Sequence, residues 1–61
     1  MAQKAVVFGA SGQLGAELTR ELRARGYATI ACSRGEVDIT NAAAVGAVLA
    51  GSEPDVVLNA A

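Results

Sequence analysis

Gly9, Gly12 and Gly15 stand at intervals of three, directly behind the apolar run Ala5-Val6-Val7-Phe8 and directly before a stretch of helical period. That junction constrains the fold more than anything else in the 61 residues. A continuous apolar run, β-branched at its centre, reads as a strand covered on both faces, the kind found in parallel sheets. From Gln13 the period changes. Leu14, Leu18 and Leu22 recur every four residues and form one apolar stripe, with Glu17, Arg20, Glu21, Arg23 and Arg25 on the wet side. Glu21 and Arg25 have the acid-first i,i+4 order that supports a helix. Basic residues crowd the last turn, and Gly26 supplies the stop.

Each glycine of the G-x-x-G-x-x-G loop has a distinct physical task. Gly9 lets the strand turn sharply, Gly12 leaves room for a phosphate to approach the backbone, and Gly15 lets the helix sit close to the sheet. The free amides of the first helical turn, at Gln13 and Leu14, point at the anion, and the helix dipole adds to the attraction. Ser11 offers a hydroxyl donor. Three glycines can also make nothing more than a tight turn, but the strand–turn–helix setting favours a diphosphate site. No Lys-Ser/Thr pair follows the glycines, so this is not a P-loop.

The remainder alternates in the same way. Tyr27–Cys32 reads as a second strand, Ser33-Arg34-Gly35-Glu36 as a polar loop, and Val37-Asp38-Ile39 as a short extended piece. Thr40 or Asn41 caps a second helix over Ala42 to about Ala50, ended by Gly51 and followed by Pro54. Gly46 inside it leaves room for close packing on the sheet. Asp55–Asn59 is the third strand. Alternating strands and helices mean an α/β fold with parallel pairing. The expected architecture is a Rossmann-type βαβαβ half over residues 1–61, with three parallel strands in the order 3-2-1 and both helices on one face. On that arrangement one face of the sheet stays bare and the outer edge of the first strand is unpaired. Association through that edge, or a longer chain around it, is then expected.

The end of the second strand carries the next signal. An Asp or Glu about 20 residues beyond the glycines would hold the ribose 2′-OH of NAD. Cys32-Ser33-Arg34 stands there instead. Ser33 can donate to a 2′-phosphate and Arg34 can pair with it as a charged fork, so NADPH is expected over NADH. Glu36 could still reach a ribose, though it comes later than such a carboxylate usually does. Cys32 is read as a small buried strand residue rather than a reactive thiol. Tyr27, at the opposite end of its strand, is read as packing. Asp38 suits adenine contact or turn formation better than general base chemistry.

Composition removes other classes. The net charge is −1 and the aromatics are Phe8 and Tyr27 alone, which argues against nucleic-acid binding. One cysteine and no histidine leave no zinc site and no internal disulfide. No apolar stretch is long enough for a signal core or a membrane span, and a cytoplasmic location is expected.

Three segments together resemble the extended short-chain dehydrogenase/reductases, and within them the dTDP-4-dehydrorhamnose reductase family. They are Val7-Phe8-Gly9-Ala10-Ser11-Gly12-Gln13-Leu14-Gly15, Glu36-Val37-Asp38-Ile39-Thr40 and Pro54-Asp55-Val56-Val57-Leu58-Asn59-Ala60-Ala61. The resemblance implies that Gly9 to Gly15 bind pyrophosphate and that Ser33 and Arg34 face the adenosine ribose. It also implies that Asp38 and Ile39 flank the adenine and that Asn59, Ala60 and Ala61 line the cofactor beyond the third strand. Family members often have an acid where Ser33 stands, and that departure again favours NADPH. The implied reaction is hydride transfer to the 4-keto group of dTDP-4-dehydro-L-rhamnose, a nucleotide sugar. Alternatives are another nucleotide-sugar reductase or epimerase of the same superfamily, or a non-catalytic nucleotide-binding module that dimerises. The family's catalytic hydroxyl residue and Tyr-x-x-x-Lys pair fall beyond residue 61. Tyr27 has Ala31 four places on, and Lys4, the only lysine, precedes the first strand. These 61 residues alone are therefore not expected to catalyse the reaction.

Overall fold

The computed structural model describes residues 3–61. Five elements follow one another: β1 Lys4–Phe8, α1 Gln13–Ala24, β2 Ala28–Cys32, α2 Ala42–Ser52 and β3 Val56–Asn59. The strands form one parallel sheet, as the alternation predicts, but their order is β2-β1-β3. This corrects the expected 3-2-1 order. β1 is the central strand, with Val6 beside Ile30 on one flank and Val57 on the other.

The placement of β3 corrects two further expectations. Having left β2, the chain must pass back over β1 to reach β3. A right-handed crossover in the reversed direction lands on the opposite face of the sheet. Ala31 accordingly borders a hollow with Ala16 and Thr19 of α1, while its neighbour Cys32 packs with Val6 and Phe8 against Val45, Val48 and Leu49 of α2. Consecutive strand residues point to opposite faces, so the two helices lie on opposite faces and neither face is bare. Nor is β1 an edge. Ala5, Val6 and Val7 are fully buried and Phe8 is nearly so. Burying one such valine contributes about 1.5–3 kcal/mol.

The exposed edges are β2 and β3. On the α2 face the row Ile30–Val6–Val57 runs across the sheet. Its centre is 0% exposed, whereas Ile30 is 44% and Val57 46% exposed. α2 covers the middle of that face and leaves its flanks open.

Local details follow elementary chemistry. Gly26 takes φ +90° just past α1, the left-handed position that favours glycine. The expected Glu21–Arg25 pair forms at 2.9 Å with both side chains well exposed, so its contribution is small. The apolar stripe of α1 is rotated from the expected line. Gly15 and Thr19 are its buried residues, and Leu14 is 58% exposed. Asn41, one of the two expected caps, accepts from the Ala44 amide at 3.1 Å. α2 runs past Gly51 to Ser52, and Glu53 rather than Gly51 ends it, in the left-handed region at φ 48°. A side chain on Gly46 would meet open space, so close packing on the sheet does not explain that glycine.

A candidate anion cradle and an adjoining cavity at the carboxyl end of the sheet

β1 and β3 both end at the rim where the chain reverses its direction of winding. That reversal opens a crevice at the carboxyl ends of the strands, the usual ligand position in an open α/β sheet. The glycine loop forms one wall. Gly9 has φ +73°, and a Cβ there would lie 2.6 Å from the Ala61 nitrogen. Only glycine lets β1 turn while the segment after β3 runs against it. The Ala60 amide donates to the Phe8 carbonyl at 2.9 Å, and the Ala61 amide to Asn59 Oδ1 at 3.1 Å. These bonds hold Asn59–Ala61 beside the loop.

Gly15 is fixed more tightly. A Cβ there would overlap the Gly9 carbonyl oxygen and approach Ala10 Cα to 2.7 Å. Its lack of a side chain therefore seats α1 on the end of β1 itself. Gly12 differs from both. It is the N-cap of α1 in an extended conformation, φ −76° and ψ 167°, and makes no side-chain cap. A Cβ at Gly12 would touch only the Gly9 carbonyl, at an ordinary 3.6 Å. The space in front of Gly12 is thus open, as a cradle for an anion requires. The Ala16 amide makes the first helical bond, to the Gly12 carbonyl at 2.9 Å, so the amides of Gln13, Leu14 and Gly15 precede the helical ladder and have no intrahelical acceptor. No acidic side chain stands in the first turn to oppose an anion. The arrangement fits a diphosphate.

Beside the loop lies a cavity of about 190 Å³ lined by Gly9, Arg34, Val37, Asp38, Ile39, Thr40 and Ala61. It gathers five of the sequence-predicted site residues: Gly9, Arg34, Asp38, Ile39 and Ala61. Ser11, Gly12, Gln13, Leu14 and Gly15 belong to the neighbouring cradle. Ser33, Asn59 and Ala60 adjoin the cavity in sequence without lining it. Val37 and Thr40 are lining residues that sequence reasoning passed over. In the sequence Thr40 reads as a candidate helix cap and as part of the Glu36–Thr40 segment.

The segment from Ser33 to Asn41 is not the short extended piece expected at Val37–Ile39. It is a succession of turns. The Glu36 and Val37 amides donate to the Ser33 carbonyl at 3.0 and 2.9 Å, and the Asn41 amide donates to that of Asp38 at 2.9 Å. Asp38 Oδ1 accepts from both the hydroxyl and the amide of Thr40, at 2.7 and 2.9 Å. Turn formation is therefore one role of Asp38. The Thr40 hydroxyl, then its amide, and the positive charge of Arg34 hold the Asp38 carboxyl below its ordinary value. Glu36 is held low in the same way, first by the Ser33 amide and then by the Ser33 hydroxyl. Burial, with the charge of Glu36 adding to it, pushes the Cys32 thiol up. Cys32 sits in the core, as expected, where burial disfavours the reactive thiolate. Tyr27 lies half-buried at the far end of β2.

Among the described residues no group of His, Cys, Asp and Glu could hold a metal ion, and no helix is long and apolar enough to cross a membrane.

Known proteins are similar to this chain. Over 56 residues the chain is 52% identical to a dTDP-4-dehydrorhamnose reductase of Streptomyces griseus, covering 92% of this chain and 18% of that protein. It is 40% identical over 58 residues to the spore coat polysaccharide biosynthesis protein SpsK of Bacillus subtilis, covering 95% of this chain and 20% of the relative. A crystal structure of dTDP-4-dehydrorhamnose reductase from Bacillus anthracis in complex with NADP superposes with a TM-score of 0.90 at 30% identity, over 98% of this chain and 21% of that one. The chain thus spans about a fifth of the length of each of these proteins. The profile of the family described as RmlD substrate binding domain matches residues 3–61, and the chain belongs to that family.

Proposed function

We propose that residues 1–61 are the N-terminal half of the NADP(H)-binding domain of a reductase acting on the 4-keto group of dTDP-4-dehydro-L-rhamnose. The observation that carries this reading is the open cradle at Gly12, set beside the cavity lined by Arg34, Asp38 and Ile39. The amides of Gln13 and Leu14, with the Ser11 hydroxyl, hold the pyrophosphate. Ser33 and Arg34 face the adenosine ribose, Asp38 and Ile39 flank the adenine, and Asn59, Ala60 and Ala61 border the cofactor beyond β3. When bound, the dinucleotide supplies hydride to the carbonyl carbon of the nucleotide sugar. This chain's residues bind and orient, while proton donation and sugar recognition belong to parts of the protein outside these residues. The similarity to two reductases that bear this name, one of them in complex with NADP, supports the reading. A cytoplasmic location is part of the same proposal; among the described residues no helix is long and apolar enough to cross a membrane.

Titration with NADPH and with NADH, followed by the fluorescence of the reduced nicotinamide, tests the proposal. Saturable binding is expected for both, tighter for NADPH. Absence of saturable binding by either dinucleotide would refute it.

A further inference from the structure

Ser33, directly after β2, turns two donors on a single atom. Its amide lies 3.2 Å and its hydroxyl 2.9 Å from Glu36 Oε1. Two donors converging on one anionic oxygen make an anion cradle, and here the oxygen belongs to the chain itself. The bonds from the Glu36 and Val37 amides back to the Ser33 carbonyl close the turn that brings the carboxylate there. Arg34 is next in sequence, exposed, and lines the cavity. Ser33 and Arg34 are the pair that suits a 2′-phosphate, so a fixed negative charge sits where a second one would arrive.

We propose that Glu36 is a specificity-determining residue: in the free protein its carboxylate occupies the place at Ser33 that a 2′-phosphate oxygen of NADPH takes. The inference rests on the dinucleotide-binding reading above. NADPH must displace Glu36 to reach the Ser33 donors. NADH need not, because its ribose 2′-OH is a donor that the carboxylate can accept. Glu36 is exposed, and among the described residues its side-chain hydrogen bonds go to Ser33, so it can swing out without disturbing the core. A glutamate is ionised across the neutral range, and the two Ser33 bonds lower its carboxyl further, so the competition is between two anions.

The test compares the wild-type chain with Glu36→Gln and Glu36→Ala, using NADPH, NADH and the fragment pair 2′,5′-ADP and 5′-ADP. Gln keeps an acceptor for Ser33 and so preserves the turn while removing the charge. The preference for NADPH over NADH is expected to rise about tenfold in the Gln variant, and further in the Ala variant. The gain should appear equally in 2′,5′-ADP over 5′-ADP. Adding Ser33→Ala to Glu36→Gln should cancel it. An unchanged preference, with both dinucleotides still bound, would overturn the proposal and leave Glu36 as a turn residue. Weaker NADPH binding in the Gln variant would overturn it as well. Loss of all dinucleotide binding by the wild-type chain would instead strike the underlying cofactor reading.

Discussion

The two halves of the candidate site are built by opposite means. The loop from Gly9 to Gly15 is made of backbone. Its shape follows from three residues without side chains and from the close approach of Ala10, Ala60 and Ala61. The segment from Ser33 to Thr40 fastens its backbone turns with side chains, Glu36 bonded to Ser33 and Thr40 to Asp38 at its exposed surface. The first can be altered hardly at all without moving β1. The second can change its residues while the sheet stays as it is. On the proposed reading, the diphosphate common to every such cofactor meets the rigid half, and the ribose substituent that distinguishes one cofactor from another meets the adjustable half.

Gly15→Ala tests that contrast most severely. Alanine is the better helix former by about 1 kcal/mol, which would stabilise α1 if nothing stood in the way. The added Cβ runs into the carbonyl of Gly9 and the Cα of Ala10, both backbone and unable to rotate aside. Overpacking of that kind costs about 3 kcal/mol, so the net effect is a loss. Thermal or urea unfolding followed by circular dichroism should show it. A stability equal to the wild type would mean that α1 is free to shift away from β1, and the backbone half would lose its rigidity.

Gly12→Val separates binding from folding. Valine tolerates the extended dihedrals of this N-cap, and its Cβ meets only an ordinary contact. Valine is a poor cap beside glycine, so about 1 kcal/mol of stability is expected to go. Its branches fill the space in front of the amides, and NADPH affinity is expected to fall about 100-fold or more. Retained affinity would place the diphosphate elsewhere. Arg34→Ala comes next in size. NADPH binding should weaken about 10- to 100-fold through loss of a charge-assisted bond, with NADH changed about twofold or less. Equal losses for both would show that Arg34 acts on something the two cofactors share.

The same contrast explains which parts of the molecule were legible in the sequence. Gly9 and Gly15 announce themselves because their backbone tasks admit one residue type, Gly12 because the space in front of it must stay open, and β1 announces itself as a buried strand by being apolar at every position from Ala5 to Phe8. The order of the strands did not. Alternation of strand and helix dictates parallel pairing, but nothing local to Val56–Asn59 says on which side of β1 it will pair, and the faces of both helices follow from that choice. Leu14 misled because a four-residue leucine spacing marks a stripe without saying where its centre lies. The true contact line passes through Gly15 and Thr19, one small and one polar. The Val37–Ile39 piece looked extended by residue type. Asp38 overrode that preference by capturing the Thr40 amide and hydroxyl, a side-chain-to-backbone bond of the kind that competes with strand ladders.

Acidification draws the contrast with the smallest effect. The Glu36 and Asp38 carboxyls both titrate below their ordinary values in the folded chain. A carboxyl lowered by folding stabilises the fold at any pH above its unfolded value. That contribution disappears as pH falls through the ordinary carboxylate range and on to the lower folded value. Both groups are exposed, so solvent screens the effect and it stays local. No titratable side chain lies between Gly9 and Gly15. Lowering the pH into the acid range should therefore release the Ser33 and Thr40 amides, seen as faster hydrogen exchange and shifted NMR resonances. The Gly12 and Ala16 amides, bonded to the carbonyls of Gly9 and Gly12, should keep their positions over the same interval. Glu36→Gln should remove the response at Ser33 and leave that at Thr40. A concerted change at Gly12 would mean that the two halves open as one unit, and a substitution meant to tune cofactor choice would then disturb the diphosphate grip as well.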